Sequence, residues 1–197
     1  MSQQHSVIGA IQRFWQVCIH THFTIRPSLT QTQRTYTADY IGLAALILAF
    51  ALVEILVTPF HRLFSLSDLS ISFPFAEVER VSVALLFVYS IAIPFVLLIA
   101  YLLISKAPSH KIHVTLLGLA ISLVLTAFIT DVFKNAVGRP RPDLLDRCQP
   151  KAGTELVKLV GIEVCTQTNQ SKLQDGWRSF PSGHASFAFS GLGYLAL

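Results

Sequence analysis

The chain has 197 residues, of which 52% are hydrophobic and only 13% are charged, against about 25% charged in an average soluble domain. This composition excludes a disordered chain, a fibrous protein and an ordinary soluble enzyme, and it indicates a one-domain membrane protein. The net charge of +4 is modest for a nucleic-acid-binding protein, so we expect no nucleic-acid partner. The three cysteines match neither a disulfide framework nor a zinc-binding spacing.

The first 39 residues are expected to form a segment separate from the membrane domain. Apolar residues recur at helical spacing between Val7 and Ile19, which indicates a short amphipathic helix. This pattern fits a helix in the lipid headgroup layer and equally an ordinary packed helix. Residues 26–39 are polar and resemble a linker.

The remaining residues, 40–197, predict an all-α, polytopic bundle of transmembrane helices. Three apolar segments, 40–58, 81–104 and 112–133, each approach the ~20 residues that a bilayer core requires. We expect a kink at Pro94, in the middle of the second segment. The polar residues Glu54 and Asp131 stand near the ends of two segments. We expect Glu54 to be interfacial, whereas Asp131 either pairs with Lys134 on the same helix face or lies at the water interface.

A fourth apolar segment, 185–197, is too short to cross a lipid bilayer. At 1.5 Å per residue it covers about 20 Å, less than the ~30 Å of a bilayer core. We therefore expect three spans and the start of a fourth, and we expect this chain to be the N-terminal part of a longer protein.

A long polar loop, 134–180, separates the last two apolar segments and contains eight of the fifteen lysines and arginines. A count of all cations that flank the spans favours a cytoplasmic loop. If the eight cations of the loop are set aside because they belong to a binding site, the remaining cations favour a loop outside the cytoplasm. The glycosylation sequon at Asn169 fits that luminal or extracellular side. Cys148 and Cys165 share the loop and could form a disulfide if the loop is luminal, but their spacing alone does not show that they approach each other, so free thiols are favoured and the disulfide stays open.

The first cluster that carries chemistry is KNAVGRPRP, residues 134–142. Lys134, Arg139 and Arg141 lie where the third span is expected to end, and two prolines stiffen the chain around them. Arginine offers a planar fork for phosphate oxygens, and lysine offers a compact charge. The cluster therefore indicates either a site for a lipid phosphate headgroup or a positive anchor beside the membrane.

The second cluster is FPSGHAS, residues 180–186. Ser182 can cap a helix, and Gly183 allows a ligand to approach the backbone. Free N–H groups at a helix start attract anions, and His184 can donate a proton to a leaving oxygen. The alternative is a plain serine-capped helix with an interfacial histidine.

Together the clusters give a lysine, six residues, Arg-Pro and, across the loop, Pro-Ser-Gly-His. This arrangement resembles the first two signature motifs of the type 2 phosphatidic acid phosphatases, also called lipid phosphate phosphatases. That family shares its fold with the vanadium haloperoxidases. The resemblance implies that Lys134, Arg141, Ser182 and the Gly183 amide bind phosphate and that His184 is the general acid. It also implies a lipid phosphate substrate such as phosphatidate or diacylglycerol pyrophosphate, a phosphohistidine intermediate, and no metal or other cofactor. Arg139 is not a fixed position of the motif and stays unassigned.

The third family motif begins with Ser-Arg and carries the nucleophilic histidine, but the 197 residues contain no Ser-Arg dipeptide. We therefore expect this chain to be inactive by itself. Two alternatives stay open: a non-catalytic membrane protein that binds lipid phosphates, and a polyprenyl pyrophosphatase. The apolar spans argue against a haloperoxidase, because those relatives are soluble.

Overall fold

A computed structural model describes residues 36–77 and 81–197. The amphipathic helix expected between Val7 and Ile19, and most of the expected linker, lie outside the described residues. The helices are α1 (Thr37–Leu56), α2 (Val83–Ile104), α3 (Ser109–Val137), α4 (Leu144–Cys148), α5 (Gln170–Gln174) and α6 (Gly183–Ala196). Three 3-10 turns, Leu69–Ile71, Ile162–Val164 and Asp175–Trp177, complete the helical structure.

The all-α expectation is confirmed in the described part of the chain. Its two strands, β1 (Phe64–Ser65) and β2 (Leu159–Val160), have two residues each and pair antiparallel, with Phe64 opposite Val160. Helices α1, α2 and α3, with 20, 22 and 29 residues, are long and apolar enough to cross a membrane. Most large apolar side chains of α1 and α2 are exposed, and α1 has no buried residue, as expected of helices that lipid surrounds. Helix α3 buries more of its apolar side chains.

Helix α2 departs from α geometry where the kink was expected. A π-helical turn, Val88–Ala92, precedes Pro94, which has no N–H to donate. The carbonyl oxygen of Ser90 faces Gly191 of α6, where any Cβ would overlap it. A glycine therefore allows the backbones of α2 and α6 to approach closely.

Helix α6 packs against α3 as well as α2, and α3 packs against α1. Two hydrogen bonds join α3 to α6: Ser122 Oγ lies 3.1 Å from Ser190 Oγ, and Tyr194 donates to the Thr115 carbonyl at 2.9 Å. The long helix α3 is thus central to the bundle, and it brings its last turn close to the start of α6.

Residues 57–77 and 138–182 form a folded region at one end of these helices, which we call the polar layer. It has a hydrophobic core of its own, in which Trp177, Leu144 and Cys148 are fully buried. Trp177 donates to the Arg62 carbonyl at 3.0 Å. The segment 134–180, which has the composition of a polar loop, therefore contributes to a packed structure.

Of the two alternatives for Cys148 and Cys165, the structure shows the disulfide. Cys148, at the end of α4, forms a disulfide with Cys165, 17 residues later, and their Cα atoms lie 4.6 Å apart. A backbone bridge between Pro150 and Cys165 brings the two segments together. The spacing of the cysteines gave no sign of this bridge.

Candidate active site

All five site residues predicted from the sequence lie around one pocket of about 600 Å³. The pocket lies where the start of α2, the end of α3, the start of α6 and the polar layer meet. Its cationic and polar lining residues include Lys134, Arg141, Arg178, Ser182, Gly183 and His184.

Lys134 lies in the last turn of α3, because this helix continues four residues past the predicted end of the third span. Gly138 ends the helix in the left-handed conformation, with φ of 55°, and donates its N–H to the Lys134 carbonyl. A side chain there would overlap the Phe60 carbonyl. Phe60 in turn donates its N–H to the carbonyl of Asn135 at 2.8 Å, so the polar layer is tightly joined to the helix end that carries the lysine.

The Lys134 ammonium group reaches the start of α6. Its Nζ lies 3.3 Å from the position that a Cβ of Gly183 would occupy. Among residues 36–77 and 81–197 it forms no hydrogen bond and no ion pair. An unpaired ammonium group beside a glycine is well placed to bind an incoming anion.

Neither expectation for Asp131 describes the structure. Asp131 is buried rather than interfacial, and it accepts a hydrogen bond from Asn135 Nδ2 at 3.2 Å. No ion pair with Lys134 occurs in the described part of the chain. Pairing of Asp131 with Lys134 was one of the two alternatives because their spacing puts them on one face of α3. The hydrogen-bond partner of Asp131 is instead Asn135, four residues later.

Arg141 approaches the pocket from the polar layer and is held by Asp175. Its Nε donates to the Asp175 carbonyl at 2.9 Å, and its Nη2 donates to Asp175 Oδ1 at 2.7 Å. Its backbone N–H donates to the Gly176 carbonyl at 2.7 Å. Arg139, which the sequence left unassigned, is exposed and does not line the pocket.

Helix α6 begins as the sequence predicts. Ser182 is the N-cap, and its Oγ accepts the Ala185 N–H at 3.3 Å. Within the described ranges, the N–H groups of Gly183 and His184 have no acceptor. Two free N–H groups at the start of a 14-residue helix are suited to bind an anion, and the helix dipole favours negative charge there.

His184 lies in the first turn of α6 and is half-buried. Its Nε2 lies 2.9 Å from the Val81 carbonyl oxygen, so this nitrogen donates to the backbone. The same bond orients the ring within the pocket wall. In the imidazolium form, Nδ1 carries a second proton that this bond does not use.

Arg178 is a pocket residue that the sequence analysis missed. Its Nε donates to Asn135 Oδ1 at 2.9 Å, and its Nη1 forms an ion pair with Glu54 at 3.1 Å. Its Nη2 donates to the Val57 carbonyl at 3.3 Å. Glu54 is therefore not simply interfacial, because it joins the end of α1 to the pocket wall. The sequence signal that could have identified Arg178 is its position, three residues before Pro181 of the Pro-Ser-Gly-His sequence.

Much of the remaining lining of the pocket is apolar. This apolar part is formed by Phe73 and Pro74 of the polar layer, by Val83, Leu86 and Phe87 of α2, and by Phe187 of α6. The rings of Phe87 and Phe187 meet edge to face, with centroids 6.2 Å apart. A ligand that suits this mixed lining has an anionic group next to a hydrocarbon. No three His, Cys, Asp or Glu side chains gather as a metal site in residues 36–77 and 81–197.

Comparisons with known proteins agree with this geometry. Residues 115–197 match the sequence profile of the PAP2 superfamily. The chain is 45% identical over 141 residues to diacylglycerol pyrophosphate phosphatase 1 of Saccharomyces cerevisiae, covering 70% of this chain and 49% of the relative. It is 42% identical over 163 residues to a probable diacylglycerol pyrophosphate phosphatase 1 of Schizosaccharomyces pombe, covering 81% and 57%.

A plant protein, lipid phosphate phosphatase 2 of Arabidopsis thaliana, is 34% identical over 182 residues, covering 88% of this chain and 59% of the relative. The chain thus spans about half the length of the curated relatives it matches. No solved structure matches it. Three helices apolar enough to cross a bilayer, together with these relatives, identify a membrane protein. The chain belongs to the type 2 phosphatidic acid phosphatase (PAP2) superfamily.

Proposed function

We propose that this chain forms the phosphate-binding part of a membrane enzyme that hydrolyses lipid phosphates such as phosphatidate or diacylglycerol pyrophosphate. The observation that carries the proposal is one pocket that is lined by both cationic and apolar side chains. Lys134, Arg141 and the start of α6 are suited to an anion, and the aromatic side chains in the same lining suit a lipid chain. The names of the yeast and plant relatives support the same substrate class.

The proposed roles follow from the geometry. Lys134, which has no partner in the described ranges, and Arg141 bind the phosphate oxygens, while Ser182 and the Gly183 N–H hold the same group at the helix start. His184 protonates the leaving oxygen. The reaction uses no metal and passes through a phosphohistidine, as the family resemblance implies. Because the 197 residues contain no Ser-Arg motif, the proposal assigns phosphate binding and proton donation to them, but not the nucleophile.

We also propose a multi-pass arrangement with the polar layer on the luminal or extracellular side. The ends of α1 and α3 and the starts of α2 and α6 all adjoin the polar layer, whereas Ser105–Pro108 connects α2 to α3 as a short turn. A disulfide between Cys148 and Cys165 fits an oxidising compartment. The lipid phosphate would then enter from the outer leaflet, with its headgroup in the polar layer.

The test is release of inorganic phosphate from diacylglycerol pyrophosphate in the presence of EDTA, with the protein purified as its own cells make it. We expect turnover without magnesium from the protein as its own cells make it, and at least a hundredfold lower activity in its Lys134→Ala variant. Residues 1–197 expressed alone should be inactive, because they contain no Ser-Arg motif. The matched control is Lys158→Ala, which removes an exposed lysine of the polar layer that has no partner in the described ranges. If phosphate analogues bind but no lipid phosphate is hydrolysed, the protein is a non-catalytic binder. If only prenyl pyrophosphates are hydrolysed, the polyprenyl alternative is correct.

A further inference from the structure

Asp175 stands between two arginines and contacts both. Its Oδ1 accepts from Arg141 Nη2 at 2.7 Å, and its Oδ2 accepts from Arg147 Nη1 at 3.0 Å. The Asp175 backbone carbonyl also accepts from Arg141 Nε at 2.9 Å. One residue thus binds the Arg141 guanidinium through two different acceptors and is itself held from the other side.

Arg147 is a fixed anchor. Its side chain is only 8% exposed, and its Nε donates to Asp143 Oδ2 at 2.9 Å. It stacks on the ring of Phe75 at 4.6 Å and immediately precedes the disulfide-bonded Cys148. Because these contacts hold it outside the pocket lining, Arg147 binds the carboxylate of Asp175 rather than a ligand.

Arg141 differs from Arg147 in that it lines the pocket and is 28% exposed. A guanidinium group has five N–H donors, and Asp175 occupies two of them. The donors left over, including both on Nη1, are free for an anion. An arginine that is already oriented loses less conformational entropy when it binds than a mobile one.

We infer that Asp175 is a positioning residue that acts through Arg141. It fixes the guanidinium so that the remaining donors meet a phosphate group, and Arg147 fixes Asp175 in turn. The inference rests on the proposed function for the claim that Arg141 binds phosphate. The negative charge of Asp175 opposes binding of an anion, but both of its carboxylate oxygens are paired with arginines. It therefore repels a bound phosphate less than an unpaired carboxylate would.

The experiment is a titration of the protein in nanodiscs with inorganic phosphate, followed by ³¹P NMR. We expect Asp175→Ala to weaken binding about tenfold and Asp175→Glu to restore it to within about twofold. Glu155→Gln is the matched control, because Glu155 is an exposed carboxylate of the polar layer without a partner in the described ranges. It should leave the affinity unchanged.

A double-mutant cycle separates positioning from general support of the fold. If Asp175 acts through Arg141, Asp175→Ala adds no further loss to Arg141→Ala. An equal loss in both backgrounds, or binding as tight as wild type in Asp175→Ala, overturns the inference. Where Asp175→Ala fails to fold, as judged by its melting temperature and an intact disulfide, the same cycle is run with Asp175→Asn. If the wild-type protein binds no phosphate, the proposed function fails as well; if wild type binds and the cycle shows no coupling, only the role of Asp175 fails.

Discussion

The helices and the polar layer are stabilised in different proportions by apolar burial. In α1 and α2 most large apolar side chains are exposed, whereas the polar layer buries its own apolar side chains around Trp177. The helices pack through one small cluster of buried leucines, Leu98, Leu119 and Leu123, and through a close backbone approach at Gly191 and hydrogen bonds such as that of Ser122. The polar layer uses a core, ion pairs and a disulfide, like a small secreted domain. The helices are therefore suited to a lipid environment, and the polar layer is suited to water.

The pocket takes residues from both regions, and each region holds its residues differently. Lys134 comes from the end of a long helix and has no partner among residues 36–77 and 81–197. Arg141 comes from the polar layer and is held by Asp175. The helices thus supply a free charge, and the polar layer supplies an oriented one. Substitutions in the core of the polar layer should therefore mainly lower the free energy of unfolding, whereas substitution of Lys134 should mainly weaken phosphate binding.

The largest contrast is expected from two leucines. Leu144→Ala removes a fully buried side chain from the polar-layer core and should cost about 2–5 kcal/mol of unfolding free energy, because it leaves a cavity. Leu103→Ala removes a side chain that is 64% exposed on α2 and should cost well under half as much. Thermal and denaturant unfolding in nanodiscs measures both. Equal losses would contradict the distinction between the two regions.

The disulfide should have the next largest effect. Replacing Cys148 and Cys165 by serine frees a loop of 17 residues, which corresponds to about 3 kcal/mol in the chain-entropy account. We expect faster proteolysis within the polar layer and no change in total helix content by circular dichroism. The single variant Cys148→Ser should match the double variant; a much smaller effect of either would show that the bridge is not needed for the layer to fold.

A smaller contrast is expected within α6. Gly191→Ala places a Cβ against the Ser90 carbonyl of α2, while Gly193→Ala has open space within 4 Å. The first should cost about 1–3 kcal/mol through forced separation of the helices, and the second should be neutral or slightly stabilising because alanine favours helix. Melting temperatures of the two variants give the comparison, and similar values would argue against close packing of α2 on α6.

The smallest effect on stability is expected at Lys134. Since its ammonium group has no partner in the described ranges, Lys134→Ala should change the unfolding free energy by less than about 0.5 kcal/mol. Phosphate affinity, in contrast, should fall at least tenfold because a charge-assisted contact is lost. Calorimetry and a phosphate titration on one preparation test both halves. A large loss of stability with unchanged affinity would assign Lys134 to the fold rather than to the site.

Much of this architecture could be predicted from the sequence, because it depends on local patterns. Runs of apolar residues predicted the three long helices, and Ser182 predicted the start of α6. The residue types in each of the two clusters indicated phosphate binding or proton donation, and the family resemblance joined the two clusters in one site.

What could not be predicted depends on partners far apart in the chain. Arg178 pairs with Glu54 across 124 residues, and Arg141 pairs with Asp175 across 34. The periodic pattern of apolar residues does not indicate such pairs, because they form only when helix ends and loops pack together. For the same reason the spacing of Cys148 and Cys165 left their pairing open. It also explains why a loop with a polar sequence has a hydrophobic core of its own.

The most direct test of the central claim is a cryo-EM structure of the protein with inorganic phosphate bound. The account predicts the anion at the start of α6, within hydrogen-bond distance of Lys134 Nζ, the Gly183 N–H and an Arg141 Nη atom. Phosphate bound elsewhere, or a pocket without phosphate at concentrations that saturate binding in solution, would contradict it.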